Sequence, residues 1–305
     1  MSELLKVSFA GIEFENPITT ASGTFGSGME YSEFTDIARL GAVTTKGVAD
    51  HPWEGNPTPR VAETPSGMLN AIGLQNPGVK TFINRDLPFL KEMGAKVIVN
   101  VCGHSEEEYV NVVKRLAKDD VRDDIAMLEI NISCPNVKEG GIAFGQKPEM
   151  AEAITKAVKR EAAQPVVMKL SPNVTDITEM AKAVETGGAD GISLINTITG
   201  MKIDINRKKI LLANQTGGLS GPAIHPVAVR MVYQVSHAVE LPIIGMGGVQ
   251  SVDDALELMM AGATMVAVGT ANFYHPTITT EIIDGMERYV TENGLDSIND
   301  IIGCV

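Results

Sequence analysis

Short apolar runs rich in β-branched residues alternate with longer amphipathic stretches along most of the chain. The eight apolar runs span residues 17–21, 42–46, 96–101, 125–132, 165–170, 191–196, 242–245 and 265–269. Such runs predict buried strands, because a parallel strand that is covered on both faces carries few polar residues. Helical spacing of apolar residues predicts helices over residues 105–118, 148–162, 174–186, 226–239 and 252–261.

Signals at the ends of these stretches support the predicted helices. Ser105 precedes Glu108 at the spacing of a capping box, and Ser251 precedes two aspartates. Gly262 stands where a helix commonly ends. Strands and helices that alternate eight times predict an α/β fold, the (β/α)8 TIM barrel, as one domain over residues 1–305. A doubly wound open sheet is the alternative, but the early G-x-G-x-x-G turn typical of it does not occur here.

Two kinds of segment are expected in addition to the eight strand–helix units. Residues 7–9 and 12–14, separated by Ala10 and Gly11, predict a small N-terminal hairpin that caps the bottom of the barrel. Long connections follow the second and sixth strands, over residues 47–77 and 197–222. Loops of this length are uncommon unless they cover or build a site, so we expect them at the functional end of the barrel.

Composition limits the classes of partner and compartment. The chain has 305 residues and a net charge of −13, which argues against nucleic acid or an anionic membrane as its partner. Neither a signal peptide nor an apolar run long enough to span a membrane is evident. Cys102, Cys134 and Cys304 are widely spaced, so we expect no zinc or iron–sulfur site and predict a cytoplasmic protein.

Polar residues and glycines stand at the predicted carboxyl ends of the strands, where barrels of this type hold their chemistry. They are Ser22, Lys46, Gly47, Asn100, Asn131, Lys169, Asn196, Thr197, Gly247, Gly248, Gly269 and Thr270. Lys46 and Lys169 lie in apolar sequence, and a buried ammonium is costly without an anion beside it. That anion is either a ligand or a carboxylate; Glu129 is the candidate carboxylate, more for Lys169 than for Lys46, and the sequence leaves both possibilities open.

The glycine pairs at the last two strand ends fit a phosphate cradle, because glycine lets backbone N–H groups approach phosphate oxygens. Turns need glycine for other reasons, so it is the occurrence of two such pairs at these barrel positions that indicates the cradle. Cys134 lies between Asn131 and Asn136, just after a predicted strand. Its thiol becomes a base or nucleophile if its surroundings lower its pKa from about 8.5, and otherwise it is an inert buried cysteine.

Four segments together resemble one family. Residues 66–78 and 131–136, together with 20–26 and 137–141, resemble the catalytic subunits of class 1B dihydroorotate dehydrogenases over essentially the whole chain. The resemblance implies a flavin-dependent barrel of pyrimidine biosynthesis, with one FMN per chain, that oxidises dihydroorotate to orotate. A base removes the C5 proton of the substrate, and a hydride passes from C6 to FMN.

The resemblance also implies roles for individual residues. Cys134 matches the catalytic base. The substrate-binding positions match Lys46, Asn70, Ala71, Ile72, Gly73, Leu74, Asn131, Asn136, Asn196 and Thr197. The FMN-binding positions match Ser22, Lys46, Gly47, Asn100, Asn131, Lys169, Ile195, Gly221, Gly247, Gly248, Gly269 and Thr270. No metal ligand is implied. Residues 138–145 are glycine-rich, and we hypothesise a lid there, with an ordinary loop as the alternative.

The electrons that reach FMN need an exit. The resemblance implies an electron-transfer partner subunit that carries FAD and a [2Fe–2S] cluster and passes electrons to NAD⁺. It also implies that this chain forms a homodimer, which two partner subunits complete as a heterotetramer. The alternatives are a class 1A enzyme that acts alone with fumarate, a flavin-free aldolase or synthase that uses Lys169 as a Schiff base, and a non-catalytic flavin carrier. Class 2 enzymes use a serine base and a membrane segment, neither of which is expected here.

Overall fold

The computed structural model describes residues 3–133 and 144–305. Its strands, in chain order, are β1 (Val7–Phe9), β2 (Ile12–Phe14), β3 (Ile18–Thr20), β4 (Val43–Thr44), β5 (Val61–Thr64), β6 (Gly67–Asn70), β7 (Val97–Val101), β8 (Met127–Asn131), β9 (Val166–Lys169), β10 (Gly191–Leu194), β11 (Ile198–Gly200), β12 (Ile203–Asp204), β13 (Lys209–Ile210), β14 (Gly217–Ser220), β15 (Ile243–Met246) and β16 (Met265–Val268).

The helices of the described residues mostly follow the barrel strands. They are α1 (Val79–Thr81), α2 (Leu87–Glu92), α3 (Glu106–Leu116), α4 (Pro148–Glu161), α5 (Ile177–Thr186), α6 (His225–Ser236), α7 (Val252–Met260), α8 (Ala271–Tyr274) and α9 (Ile278–Glu292), with a π-helical turn at Phe82–Asp86 between α1 and α2. Within these ranges no helix has the length and apolar character needed to cross a membrane.

Eight parallel strands form the barrel, in the order β3, β16, β15, β10, β9, β8, β7, β4. All eight are predicted strands, and their interiors are buried throughout, which explains the unbroken apolar runs of the sequence. The five predicted helices appear as α3 to α7, with Ser105 and Ser251 accepting backbone N–H groups at their first turns as expected. The predicted (β/α)8 barrel is therefore confirmed.

Side chains of threonine and asparagine join β3 to β4, the two ends of the strand order. The Thr20 hydroxyl donates to the Thr44 carbonyl at 3.1 Å and accepts from the Thr44 N–H at 3.0 Å. Below them, the buried Asn16 Oδ1 accepts from the N–H groups of Ile18 and Gly41, both at 3.0 Å. These bonds satisfy polar backbone groups at the seam and complete the barrel.

The predicted hairpin closes the bottom of the barrel. Its strands β1 and β2 pair antiparallel across Ala10 and Gly11, which both adopt positive φ, as a tight hairpin turn requires. The Phe9 ring is fully buried and touches the start of β10, where a Cβ added to Gly191 would lie 2.6 Å from it. Because Gly191 is at the amino end of its strand, the hairpin covers the end opposite to the predicted chemistry.

The two long connections meet in a second sheet, which we call the roof sheet. It is antiparallel, in the order β11, β14, β6, β5, with β5 and β6 from the connection after β4, and β11 and β14 from the connection after β10. Leu69, Ala71 and Leu212 form a small core of its own. Gly218 pairs with Asn70, and a Cβ on Gly218 would lie 1.9 Å from Thr197 Oγ1, so only glycine permits this approach.

Candidate active site

A cavity of about 720 Å³ lies between the carboxyl ends of the barrel strands and the roof sheet. Most residues that the sequence singles out line it. From the strand ends and adjoining turns these are Ser22, Lys46, Asn131, Lys169, Ile195, Asn196, Thr197, Gly221, Gly247, Gly248, Gly269 and Thr270. From the end of β6 and the chain after it they are Asn70, Ile72, Gly73 and Leu74.

Three of the described residues lie behind this lining. Ala71 is buried in the core of the roof sheet. Asn100 is fully buried, and Gly47 packs against it, since a Cβ on Gly47 would lie 3.2 Å from Asn100 Oδ1. The expected base Cys134, the expected substrate ligand Asn136 and most of the hypothesised lid over residues 138–145 lie outside the described residues.

The two strand-end lysines both reach the cavity, in different surroundings. Lys46 follows β4 and is half-buried, with its Nζ 3.2 Å from the position of a Cβ on Gly23. Lys169 ends β9 and is almost fully buried, with its Nζ 3.6 Å from Glu129 Oε2. Glu129 is therefore an anionic neighbour of Lys169, and because the lysine also lines the cavity, the structure leaves it accessible to a ligand as well.

Ser133 orients two of the asparagines. Its hydroxyl donates to Asn131 Oδ1 at 2.7 Å and accepts a hydrogen bond from Asn196 Nδ2. Asn196 Oδ1 in turn accepts from the Thr197 N–H at 2.8 Å. Because Asn131 engages Ser133 through its oxygen and lines the cavity, its NH₂ group is the end of the amide that can donate to an oxygen of a ligand.

Three glycine-bearing turns meet at the ends of β14, β15 and β16. Gly248 has a φ of +74°, and a Cβ there would lie 2.8 Å from the Gly221 carbonyl oxygen, so the backbone approaches too closely for a side chain. At the third turn, the Thr270 hydroxyl donates to Ser220 Oγ at 2.7 Å. The glycines of these turns line the cavity without side chains, which leaves their backbone open to close approach by a phosphate, as a phosphate cradle requires.

His225, at the start of α6, supports this cradle from behind. Its Nδ1 lies 2.8 Å from the Gly247 carbonyl oxygen, and its Nε2 lies 3.1 Å from Glu257 Oε2. The carbonyl and the carboxylate are both acceptors, so a protonated ring nitrogen donates to either of them, and the two contacts together fix the orientation of the ring behind the Gly247 turn. The sequence did not indicate this role, because nothing local connects a histidine at a helix start with a strand end 22 residues later.

The loop that follows β3 is held by an aromatic pair. The Tyr31 hydroxyl donates to the Thr24 carbonyl at 2.9 Å, and its ring stacks on Phe25 with centroids 4.1 Å apart. Burial raises the pKa of Tyr31 above its ordinary value, and Glu30 adds to the shift. The phenol therefore stays neutral and remains a donor to the loop that carries Ser22.

Asparagines hold the chain between β6 and α1 in place under the roof sheet. Asn56 Nδ2 donates to the Ala71 carbonyl at 3.0 Å, and Asn76 Nδ2 donates to the Leu74 carbonyl at 2.8 Å. Gly73 and Leu74 both adopt positive φ between these two anchors. The backbone from Asn70 to Leu74 is thereby fixed along one wall of the cavity.

Tyr109 of α3 anchors the strand end that leads to Cys134. Its buried hydroxyl donates to the Asn131 carbonyl at 2.6 Å, and its ring meets Phe144 edge-on with centroids 5.9 Å apart. A Cβ on Gly145 would lie 2.4 Å from the Ile132 carbonyl oxygen, so the chain returns directly onto β8. Sequence periodicity marks Tyr109 only as a core position of a helix, and its role depends on these long-range contacts.

In the two described ranges, no group of three or more His, Cys, Asp or Glu side chains is arranged to hold a metal ion. Among the described residues, the charged side chains that line the cavity are instead Glu63 of the roof sheet and two lysines, and the lysines lie among amides and hydroxyls. Such a set suits an anionic, amide-bearing ligand together with a phosphate.

Comparison with known proteins identifies similar chains. The family model described as "Dihydroorotate dehydrogenase" matches residues 4–290. A protein of Lachnoclostridium phytofermentans named "Dihydroorotate dehydrogenase B (NAD(+)), catalytic subunit" is 66% identical over 98% of both chains. Proteins of the same name are 57% identical in Alkaliphilus metalliredigens, over 98% of both chains, and 55% identical in Desulforamulus reducens, over 98% of this chain and 97% of that one.

We expect Tyr109→Phe to destabilise the protein by about 1–3 kcal/mol, because it leaves the buried carbonyl of Asn131 without its donor while the ring remains. The measurement is the free energy of unfolding from urea denaturation. Tyr274→Phe is the matched control, since Tyr274 is 61% exposed and its change should stay within about 0.5 kcal/mol. Equal stability of the two variants would contradict the anchoring role of Tyr109.

Proposed function

Since this chain belongs to the dihydroorotate dehydrogenase family, we propose that it oxidises dihydroorotate to orotate in pyrimidine biosynthesis. One observation of the site carries the proposal most strongly. A single cavity combines two lysines and three asparagines with a glycine-bearing cradle. The cradle suits the phosphate of a flavin nucleotide, and the amides suit a small ring that has both N–H and C=O groups.

The substrate part of the cavity is proposed to lie near Lys46 and the asparagines. Dihydroorotate carries one carboxylate, which needs a cation or several donors, and Lys46 with the NH₂ group of Asn131 supplies both. Asn70 and Asn196 carry no charge that would repel this anion. Residues Ala71 to Leu74 and Thr197 complete the proposed set, with Asn136 added by family resemblance.

FMN is the proposed resident cofactor, and the described residues fit it. The cavity of about 720 Å³ lies within the range of roughly 300–1,000 Å³ that takes cofactor-sized ligands. The turns at Gly221, Gly248 and Gly269 line the cavity without side chains, so their backbone N–H groups are proposed to bind its phosphate. The other proposed FMN residues are Ser22, Lys46, Gly47, Asn100, Asn131, Lys169, Ile195, Gly247 and Thr270.

Bound FMN would supply the acceptor for the hydride that leaves C6 of the substrate. Lys169 would stabilise negative charge that develops in the cavity during this transfer. The proton at C5 needs a base, and Cys134 is assigned that role by family resemblance. Ser133, the residue before it, contacts two substrate asparagines, so the same strand end carries both binding and proton transfer.

We also propose the organisation of the whole enzyme. Residues 1–305 act as a single FMN-binding catalytic domain in the cytoplasm. The relatives are named as NAD(+)-linked catalytic subunits, and we assign this chain the same place beside an electron-transfer subunit with FAD and a [2Fe–2S] cluster. Two copies of each subunit would form a heterotetramer around a homodimer of this chain, without nucleic acid or membrane.

Anaerobic mixing with dihydroorotate tests the function directly. We expect the purified chain to show the visible absorbance of oxidised FMN, and this absorbance to bleach as orotate forms in equal amount. A colourless protein would favour flavin-free aldolase chemistry at Lys169. A coloured protein that does not bleach would be a flavin carrier.

We expect Cys134→Ala to slow the bleaching by dihydroorotate at least about 100-fold, the lower end of typical general-base contributions. Stopped-flow absorbance measures this rate, and the FMN content of the variant should remain that of the parent. Cys304→Ala is the control, because Cys304 is exposed. Bleaching of Cys134→Ala at the parental rate would remove Cys134 from the role of base.

The isolated chain should pass electrons to an artificial dye but not to NAD⁺, because the proposed route to NAD⁺ runs through a partner subunit. Absorbance of NADH at steady state measures the second reaction, and dye reduction in the same sample is the positive control. NADH formation by the chain alone would overturn the proposed partner. If fumarate accepts the electrons as fast as the dye does, the chain is a class 1A enzyme.

A further inference from the structure

Glu129 is a buried carboxylate that the proposed chemistry does not use. It lies in the interior of β8, two residues before Asn131, and its side chain is 2% exposed. It does not line the cavity, whereas its neighbour Lys169 does. Burial of an ionised carboxylate is costly unless partners surround it, so its presence beneath a functional lysine needs a physical reason.

Neutral donors from two other strands occupy both oxygens of Glu129. Asn100 Nδ2 of β7 donates to Oε2 at 2.5 Å, and the Ser193 hydroxyl of β10 donates to Oε1 at 2.7 Å. These bonds hold the carboxylate in place from both sides. Its position relative to Lys169 is therefore determined by the barrel and not by attraction to the lysine alone.

The distance between the two charges is informative. Lys169 Nζ lies 3.6 Å from Glu129 Oε2, which is longer than the 2.7–2.9 Å typical of a charge-assisted hydrogen bond. At this distance the carboxylate still offsets much of the field of the ammonium, because both side chains are at least 95% buried and water screens them little. The donors of the ammonium meanwhile remain available toward the cavity.

From this geometry we propose that Glu129 is a positioning residue that acts through Lys169 to lower the midpoint potential of bound FMN; the inference rests on the proposed function. Reduction of the flavin adds negative charge to the cavity, which a fully effective Lys169 cation would stabilise. The nearby carboxylate weakens that stabilisation, so reduced FMN is a stronger electron donor. Such tuning favours onward transfer of the electrons to a low-potential acceptor such as the NAD⁺ couple.

The network could instead serve only to hold the barrel together, and a conservative variant separates the two roles. Glu129→Gln keeps the shape: its amide oxygen can accept from Asn100, and its NH₂ can donate to Ser193, whose hydroxyl rotates to accept. The negative charge is lost while both hydrogen bonds persist. A purely structural role would leave the flavin potential of this variant unchanged.

The experiment measures the FMN midpoint potential of the loaded chain against a reference dye, without dihydroorotate or partner. For Glu129→Gln we expect the ratio of reduced to oxidised FMN, measured at a fixed ratio of reduced to oxidised dye, to rise at least tenfold. For a two-electron couple this corresponds to a midpoint potential that is higher by about 30 mV. Glu152→Gln is the control, because it removes the same charge from a pair with Lys156 on the outer helix α4. Its ratio should equal that of the parent.

A double-mutant cycle tests whether the effect passes through Lys169. In a Lys169→Met background, Glu129→Gln should no longer raise the ratio, because the cation whose field it modifies is gone. A ratio that stays constant or falls in the single variant would overturn the proposal, as would an equal rise in both backgrounds.

If Glu129→Gln does not fold, Ser193→Ala, which loosens the carboxylate without removing its charge, must still change the ratio or the proposal fails.

The outcome is separable from that of the proposed function. A parent chain that binds no FMN would refute the proposed function and leave no flavin potential to tune. A parent that binds FMN and is bleached by dihydroorotate, with a Glu129→Gln variant of unchanged potential, would refute the inference alone.

Discussion

The hydrogen-bonded closure of the eight-stranded barrel is the constraint on which every feature of the cavity depends. Parallel strands that close on themselves bring all of their carboxyl ends to one rim, so side chains from distant parts of the sequence face one space. The closure is completed between β3 and β4 by the hydroxyl of Thr20 and by Asn16. Without this seam, the turn that carries Ser22 and the strand end that carries Lys46 would not be neighbours.

The carboxyl-terminal rim of the barrel alone would be open to solvent, and the roof sheet covers it to form a cavity. Two connections that are far apart in sequence pair through β6 and β14, and the absence of side chains at Gly218 allows them to approach the sixth barrel strand end. Inside, polar groups are oriented by other polar groups: Asn131 and Asn196 by Ser133, and the Gly247 carbonyl by His225. This support restricts the conformations available before any ligand binds, which is a general source of affinity and of catalytic geometry.

The cavity holds positive side chains although the molecule as a whole is negatively charged. The chain carries a net charge of −13, yet Lys46 and Lys169 line the cavity, so an anionic ligand meets local cations within an acidic protein. The two lysines differ in surroundings, because Lys169 has a buried carboxylate beside it while Lys46 is half-buried at the rim. This difference is the basis for the proposal that identical side chains at equivalent strand ends act differently, Lys46 on a substrate carboxylate and Lys169 on the electronics of a cofactor.

The sequence by itself determined the barrel, the basal hairpin and most of the cavity lining. Strand positions follow from local apolar runs, and the rule that parallel strand ends converge placed Lys46, Asn131 and Lys169 together without coordinates. Only the tertiary structure decided that Glu129 lies beside Lys169, that Ser133 bridges two asparagines, and that the long connections form one sheet. The reason is physical: periodicity reports which face of an element is buried, whereas the partner of a buried polar group depends on the twist, register and approach of elements that are distant along the chain.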